Sequence, residues 1–541
     1  MNRRNFLQQA MGTGIALPVA LGGMSVRAMA NSPIVQSMAG LAANSDKILV
    51  LLQMQGGNDG LNMVVPLDQY SRYSTVRPTI ALPEASVLRL GSTGSAATMG
   101  LHPAMTGLKS LYDDGRVTLV QGVSYPSPNF SHSRSTDIWM TASDSNQTLV
   151  TGWNGRFLDV AYPNYPENYP NPAMPDPLAI QISAQVSTMF RSAGETMAVA
   201  LTDPQAFYNL VNGTGASNAN AAGEVPDNTL AGQHVAYVRQ IQAQSMEYAS
   251  SIKRAADKAT NRITYAANNP LAAQLAIVAR LIAGGLKTRV YAVQIGGFDT
   301  HVNQVTAGTP IAGTHSQLML RISDAIKNFQ DDLRLLGVDD KVLGMTFSEF
   351  GRRVEQNSSV GTDHGTSAPV FFFGKNVQPG IIGVNPSLTN LVNGNNLAMQ
   401  YDFRQLYASV LSQWFSATSD ELFAAVRRDP TAFTQIPIVR SSATSVRNTP
   451  TGANGDAGLL RHFPNPASSL VNIEYKLPTA GMVTVKMYDM QGRELATVRD
   501  AYEMSGQHSI LFDVSALPQG VYFYRMTYNE MLITRQIVVQ R

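Results

Sequence analysis

The apolar positions fall into two patterns along the chain. Up to about residue 430, short unbroken apolar runs alternate with longer stretches of helical spacing. Lys47–Met54, Arg116–Gln121, Thr288–Ile295, Lys341–Phe347 and Val370–Phe373 are such runs, and each predicts a buried strand. Residues 101–111, 230–262, 270–286, 316–336, 403–415 and 421–426 carry helix-spaced apolar residues. Residues 160–178, rich in Pro, Asn and Tyr, predict irregular loop, and residues 213–228 a small, polar, mobile segment. Strand, polar loop and helix in repetition predict an α/β domain, with a mostly parallel sheet flanked by helices.

The pattern changes after a stretch of linker composition, residues 439–460. Residues 471–475, 483–488, 508–514, 521–526 and 533–539 alternate with period two, separated by turns such as Leu517-Pro-Gln-Gly520. They predict a small antiparallel β-sandwich with no catalytic constellation. The expected division is therefore 46–438 for the α/β domain, 439–460 for the linker and 461–541 for the sandwich. Residues 1–30 make a further unit. Arg3-Arg4 with Phe6-Leu7, an apolar stretch from Met11 to Met24 and Ala28-Met29-Ala30 have the layout of an export signal of the twin-arginine kind. No later segment is apolar enough to span a bilayer, so the mature chain is expected to be exported without a transmembrane segment.

Composition narrows the chemistry. The chain has 541 residues, 44% hydrophobic and 14% charged, and a formal net charge of +2. That charge gives no reason to expect nucleic acid as a partner. The absence of cysteine removes disulfides, thiolate metal sites and thiol nucleophiles together.

Candidate chemistry sits where the predicted strands end. In open parallel sheets, ligands bind outside the carboxyl ends of the strands. Asp59 lies in Gly56-Gly-Asn-Asp-Gly60, Asp299 and His301 in Gly296-Gly-Phe-Asp-Thr-His301, and Glu349 in Ser348-Glu-Phe-Gly-Arg-Arg353. Asp363 and His364 lie between Gly361 and Gly365, just before an apolar run. Asp59, Asp299, His301, Asp363 and His364 are the candidate metal ligands, for one or two Zn, Mn, Mg or Ca ions. Each Asp could equally be a turn residue bonded to its own backbone. Ser131 and His132 are the candidate catalytic pair. A metal-activated serine needs no neighbouring base, and no Gly-x-Ser-x-Gly elbow follows a strand, which disfavours a Ser-His-Asp triad. The alternative for Ser131 is a helix N-cap. Glu349, Arg352 and Arg353 would orient a ligand, bind an anion or form an ion-pair cluster, and His102 and His315 would be caps or surface residues.

Gln55-Gly-Gly-Asn-Asp-Gly-Leu-Asn62, Leu101-His-Pro-Ala104, Ser131-His132, Gly152-Trp-Asn-Gly-Arg156, Gly297–His301, Ser348–Arg352 and Gly361–Gly365 occur in that order. Together they resemble exported bacterial proteins of the domain-of-unknown-function 1501 family, grouped with the alkaline-phosphatase-like and sulfatase-like hydrolases. The resemblance implies an alkaline-phosphatase-like α/β fold and metal-assisted hydrolysis of phosphate or sulfate esters. The substrate would be a small-molecule or polysaccharide ester, with Asp59, Asp363 and His364 as ligands, Ser131 as nucleophile, and Asp299 and His301 as a second ligand pair. Two departures stand out: the close Asp-x-His spacing, and the lack of a late histidine in this domain, since only His462 and His508 follow. They leave room for a non-catalytic extracellular or surface binding protein on a degenerate hydrolase fold, and whether the chain is an enzyme stays open. His462-Phe-Pro-Asn-Pro-Ala467 and Leu517–Tyr524 resemble a type A sorting domain of the type IX secretion system. That implies the type IX machinery as partner, and an extracellular or outer-membrane-surface location.

Overall fold

The computed structural model describes residues 46–213, 230–427, 434–440, 458–463, 467–489, 493–528 and 531–540. The export signal, most of the 213–228 segment and most of the linker lie outside them. The chain divides into two compact units, Ala42–Ser441 and one that includes Ser442–Arg541.

The first unit is built on a nine-stranded sheet. Its strands are β1 (Ile48–Met54), β2 (Val117–Ser124), β3 (Ala179–Ile182), β4 (Ala198–Leu201), β5 (Val290–Ile295), β6 (Val342–Phe347), β7 (Ala368–Phe373), β8 (Gly380–Ile382) and β9 (Tyr401–Asp402). The order is β8-β2-β7-β6-β1-β5-β3-β4, with β9 beside β2. β1 pairs in parallel with β5 and β6, while β7 is antiparallel to both β6 and β2. The sheet is thus mostly parallel, as expected, with one reversed strand.

Helices cover both faces, and this is why the strands read as unbroken apolar runs. In β1, Leu49 and Leu51 enter one core while Ile48, Val50, Leu52 and Met54 enter the other. The first core is closed by α1 (His132–Thr141), α2 (Trp153–Ala161), α6 (Phe403–Phe415) and α7 (Ser419–Val426). The second is closed by α3 (Leu230–Lys258), α4 (Pro270–Ala283) and α5 (Thr314–Leu335). The helix starts follow local chemistry. Asn269 caps α4 ahead of a proline in the first turn, and Asp402 and Thr418 form capping boxes for α6 and α7.

Periodicity missed four strands. β3, β4, β8 and β9 have two to four residues each, too short for a pattern to show. Residues 99–101 pair as strand with Val64–Pro66 and Leu88–Arg89, and the helix expected from residue 101 begins at Thr106.

The second unit has a three-stranded sheet (Gly458–Phe463, Leu470–Leu477, Gly506–Asp513) and a four-stranded one (Gly481–Tyr488, Glu494–Glu503, Gly520–Tyr528, Met531–Val539). All the pairings within these sheets are antiparallel. Alternate residues Val471, Ile473 and Tyr475 meet Val483, Val485 and Met487 in one core. His462 hydrogen-bonds Tyr524 there, at 2.9 Å.

The three tryptophans all lie in the first unit, so their fluorescence reports on it alone. Trp153 is fully buried and stacks on Tyr407 at 4.1 Å between ring centroids. Trp153→Ala is expected to lower the stability of this unit by about 3–5 kcal/mol. Denaturant unfolding followed through the remaining tryptophans checks this; a change under about 1 kcal/mol would mean the site repacks.

Candidate functional site

The carboxyl ends of β1, β5 and β6 lead into Gly56–Asp59, Gly296–His301 and Ser348–Arg352, and β2 leads through residues 125–131 into α1. Asp363 and His364 reach the same edge by another route. They precede β7, and because β7 is reversed, its amino end lies beside the carboxyl ends of its neighbours. The two glycines after β1 let the loops close up. Gly56 has φ +120°, and a Cβ there would sit 2.3 Å from the Asp299 backbone nitrogen. At Gly57, φ is +78° and a Cβ would run into the Phe350 ring.

Four side chains meet around one point. Ligand atoms of His132, Asp299 and His364 all lie within 4.8 Å of one another. His301 joins them: its Nε2 is 3.1 Å from Asp299 Oδ1 and 2.8 Å from His364 Nε2. His364 Nε2 is 3.3 Å, and His132 Nε2 3.5 Å, from Asp299 carboxylate oxygens. Phe350 lies under the rings, at 4.9 Å from His132 and 4.5 Å from His364 between centroids. The cluster is open to solvent, with the Asp299 side chain 49% exposed.

Each imidazole is also held from behind. His132 Nδ1 meets Glu349 Oε1 at 2.9 Å, and His301 Nδ1 meets Asp363 Oδ1 at 3.3 Å. His364 Nδ1 lies 2.7 Å from the Phe130 carbonyl oxygen. Carbonyl and carboxylate oxygens accept, so Nδ1 carries the proton on each ring, and each neutral Nε2 is a bare lone pair. Bare nitrogens 2.8 Å apart repel, unless a proton or a cation lies between them.

Arg352 is buried beneath the cluster. It donates to Asp299 Oδ1 at 2.7 Å, to the carbonyls of Gly57, Thr362 and Phe298 at 2.7, 2.8 and 3.1 Å, and to the Gly56 carbonyl. Burial pushes the Asp299 carboxyl up, but the bond and charge of Arg352 and the bond from His364 bring it below the usual carboxylate range. The bond from Asn357, with that from His301, holds Asp363 low as well. Burial pushes His364 down.

Asp59 stands apart from this group of side chains. It is fully buried, and both its oxygens accept from Arg77 Nη1, at 2.9 and 2.7 Å. Gln304 Nε2 donates to it at 2.5 Å, and Thr300 and Thr362 donate to Gln304 Oε1. Its carboxylate is spent on this network, which a motif of turn residues does not reveal. Ser131 is the N-cap of α1, but its side chain makes no cap hydrogen bond. His102 and His315 are buried rather than at caps or the surface, and burial pushes them down to about 3 and about 4. Glu349, Asn357, Phe350 and the Phe130 carbonyl complete the site. Glu349 was legible as a polar residue at a strand end, whereas a main-chain oxygen leaves no mark in a sequence.

Residues 178–426 match the family described as protein of unknown function, DUF1501. Residues 461–540 match the secretion system C-terminal sorting domain. The chain carries a DUF1501 domain and a secretion sorting domain. The DUF1501 match takes in Asp299, His301, Glu349, Asp363 and His364, and leaves Asp59, Ser131 and His132 outside it. The type IX sorting domain marks the protein for the cell surface or the extracellular space. Among the described residues, no helix is long and apolar enough to cross a membrane. No curated protein matches the chain. Two solved structures are similar. Ps i-CgsB in complex with k-i-k-neocarrahexaose has 10% identity and a TM-score of 0.33, over 70% of this chain and 74% of the other. The PsFucS1 sulfatase from Pseudoalteromonas sp. has 9% identity and a TM-score of 0.33, over 89% and 88%. Likeness at that level does not establish a shared site.

Burial pushes the Asp59 carboxyl up, but Arg77 and Gln304 outweigh it and hold the group below its ordinary value. Its contribution to stability is present above the unfolded pKa of about 3.9 and is lost as pH falls through the lower folded value. Asp59→Asn leaves Arg77 buried without its counter-charge and is expected to cost about 3–5 kcal/mol at neutral pH. Below about pH 4 the gap between the variant and the wild type should narrow. Denaturant unfolding at neutral and acid pH measures both, and a gap that does not change with pH would rule out this role for Asp59.

Proposed function

We propose that this exported protein is a metal-dependent hydrolase of phosphate or sulfate esters, acting on a small-molecule or polysaccharide ester. The observation that carries the reading is the convergence of three imidazole lone pairs on one carboxylate at an exposed sheet edge. His132, His301, His364 and Asp299 fit a divalent cation by their chemistry, because nothing else in the cluster neutralises the crowded lone pairs. When bound, the cation would supply positive charge that polarises an ester oxygen and acidifies a hydroxyl or a water. Asp59 has no part in this set, and Asp363 serves it through His301.

The chain's own residues supply the rest. Ser131 immediately precedes His132 and keeps its hydroxyl out of the cap, so Oγ is available as nucleophile. The amino end of α1 offers unpaired N–H groups and the positive end of the helix dipole to a tetrahedral oxyanion. Arg353, 3.7 Å from Asp363 and half exposed, adds a mobile positive charge. Attack by Oγ on phosphorus or sulfur would form the serine ester as the bond to the leaving alcohol breaks. Water would then release the acid and restore the hydroxyl.

A second reading, a non-catalytic binding protein, is favoured by the locking of Asp59 against Arg77, which leaves one cluster where two-cation catalysis would need more ligands. Turnover decides between them. Chelator-stripped protein should hydrolyse aryl phosphates or aryl sulfates only after a divalent cation is restored. His364→Ala should lower kcat/KM by more than about 100-fold, beyond the cost of losing an outer-shell partner. Metal bound at one equivalent with no turnover of either ester would favour the binding protein. Retained turnover in Ser131→Ala would transfer the nucleophile's role to water.

A further inference from the structure

The divalent-cation reading leaves the class of metal open, and the arrangement around the rings narrows it. Three of the four converging groups are imidazoles. Each has Nδ1 occupied by an acceptor: Glu349 for His132, Asp363 for His301 and the Phe130 carbonyl for His364. This outer shell fixes which nitrogen faces inward and raises its basicity. Glu349 is itself held in place. It is 3% exposed, and its Oε1 also accepts from the Gly56 backbone N–H at 2.8 Å. Asp363 is steadied by Asn357 Nδ2 at 3.0 Å. The one inward carboxylate, Asp299, already has part of its charge engaged by Arg352.

Magnesium and calcium take six or more hard oxygen ligands, so a site facing inward with three nitrogens and one shared carboxylate suits them poorly. Zinc and its first-row neighbours prefer this set. The competing occupant is a proton. Protonating the rings would satisfy the nitrogens, but it would crowd imidazolium groups whose centroids lie 4.5 and 4.6 Å apart, above a buried guanidinium. One doubly charged ion relieves all three lone pairs at once.

We infer that His132, His301 and His364, each through Nε2, together with Asp299 form a nitrogen-dominated site for one first-row transition-metal ion, and that Glu349 is the positioning residue that presents His132 to it. The inference rests on the divalent-cation reading, but it does not require that the protein hydrolyse anything.

The test uses the full chain, stripped with a chelator and titrated with Co2+, Zn2+, Ca2+ and Mg2+. One equivalent of Co2+ should give a visible d–d band that Zn2+ abolishes and that about a hundredfold excess of Ca2+ or Mg2+ leaves in place. His132→Gln should shift the band and weaken binding. Glu349→Gln keeps the size of the side chain but loses its charge, and should weaken Co2+ affinity about 10–100-fold. Tryptophan-fluorescence melts of both variants, compared with wild type, separate loss of the site from loss of the fold. The inference is overturned if folded protein binds no Co2+, if Ca2+ or Mg2+ displaces it, or if the band is indifferent to His132→Gln in a folded variant. An unchanged affinity in folded Glu349→Gln removes the role given to Glu349. A nitrogen site without ester turnover defeats the hydrolase reading alone, and turnover sustained by Mg2+ or Ca2+ in its place defeats this inference alone.

Discussion

A single buried guanidinium sets the geometry at the active edge of the sheet. The loops after β1 and β5, and the one before β7, are irregular, so their carbonyls cannot be satisfied by neighbouring strands. Left buried and unpaired, each would cost roughly 1–3 kcal/mol. Arg352 answers four of them, from Gly56, Gly57, Phe298 and Thr362, and meets the Asp299 carboxylate with the same planar fork. Lysine has the charge but not the fixed, spread donors, so it could not bridge three loops at once. The distance between Asp299 and His364 therefore follows from where one side chain is anchored.

Below this lies a second tie of the same kind. Arg77 joins Asp59 to the Val354 and Arg353 carbonyls, and Gln304 joins Asp59 to Thr300 and Thr362. Thr300 and Thr362 are the neighbours of His301 and Asp363. A buried ion pair of this type adds little net stability, but losing one partner is costly. Its effect is to fix the spacing of the two loops whose side chains do meet. The acid after β1 serves the site by shaping it from beneath, which accounts for its place in a glycine-rich turn without any contact with a ligand.

Much of the fold was legible because β1, β2, β5, β6 and β7 are long enough, and buried enough on both faces, to read as unbroken apolar runs. β3, β4, β8 and β9 were not, since strands of two to four residues take their identity from pairing rather than pattern. The site was legible in part for a related reason. Strand ends in a parallel sheet share an edge, so Asp299, His301 and His132 could be grouped without knowing the strand order. The sense of β7 could not be read. Asp363 and His364 were grouped with the rest as though they followed a strand, whereas they precede one, and only the reversal of β7 makes the grouping hold.

Motif reading separates carboxylates and imidazoles by type, but not by what stands behind them. Asp59, Asp299 and Asp363 look alike as acids between small residues. The structure gives them three different fates: neutralised under Arg77, turned inward with Arg352 at its back, and turned toward His301 Nδ1. Those differences come from arginines and an asparagine up to 53 positions away in the chain, as with Arg352 and Asp299. His132 shows the reverse. Beside Ser131 it reads as half of a catalytic pair, yet α1 turns its ring away from that neighbour, with Nδ1 on Glu349 and Nε2 toward Asp299. A histidine whose proton is committed to a buried carboxylate has its other nitrogen free to coordinate, and is poorly placed to take a proton from the hydroxyl next to it in sequence. The division of labour that follows is a serine without a local base and a histidine that belongs to the cation.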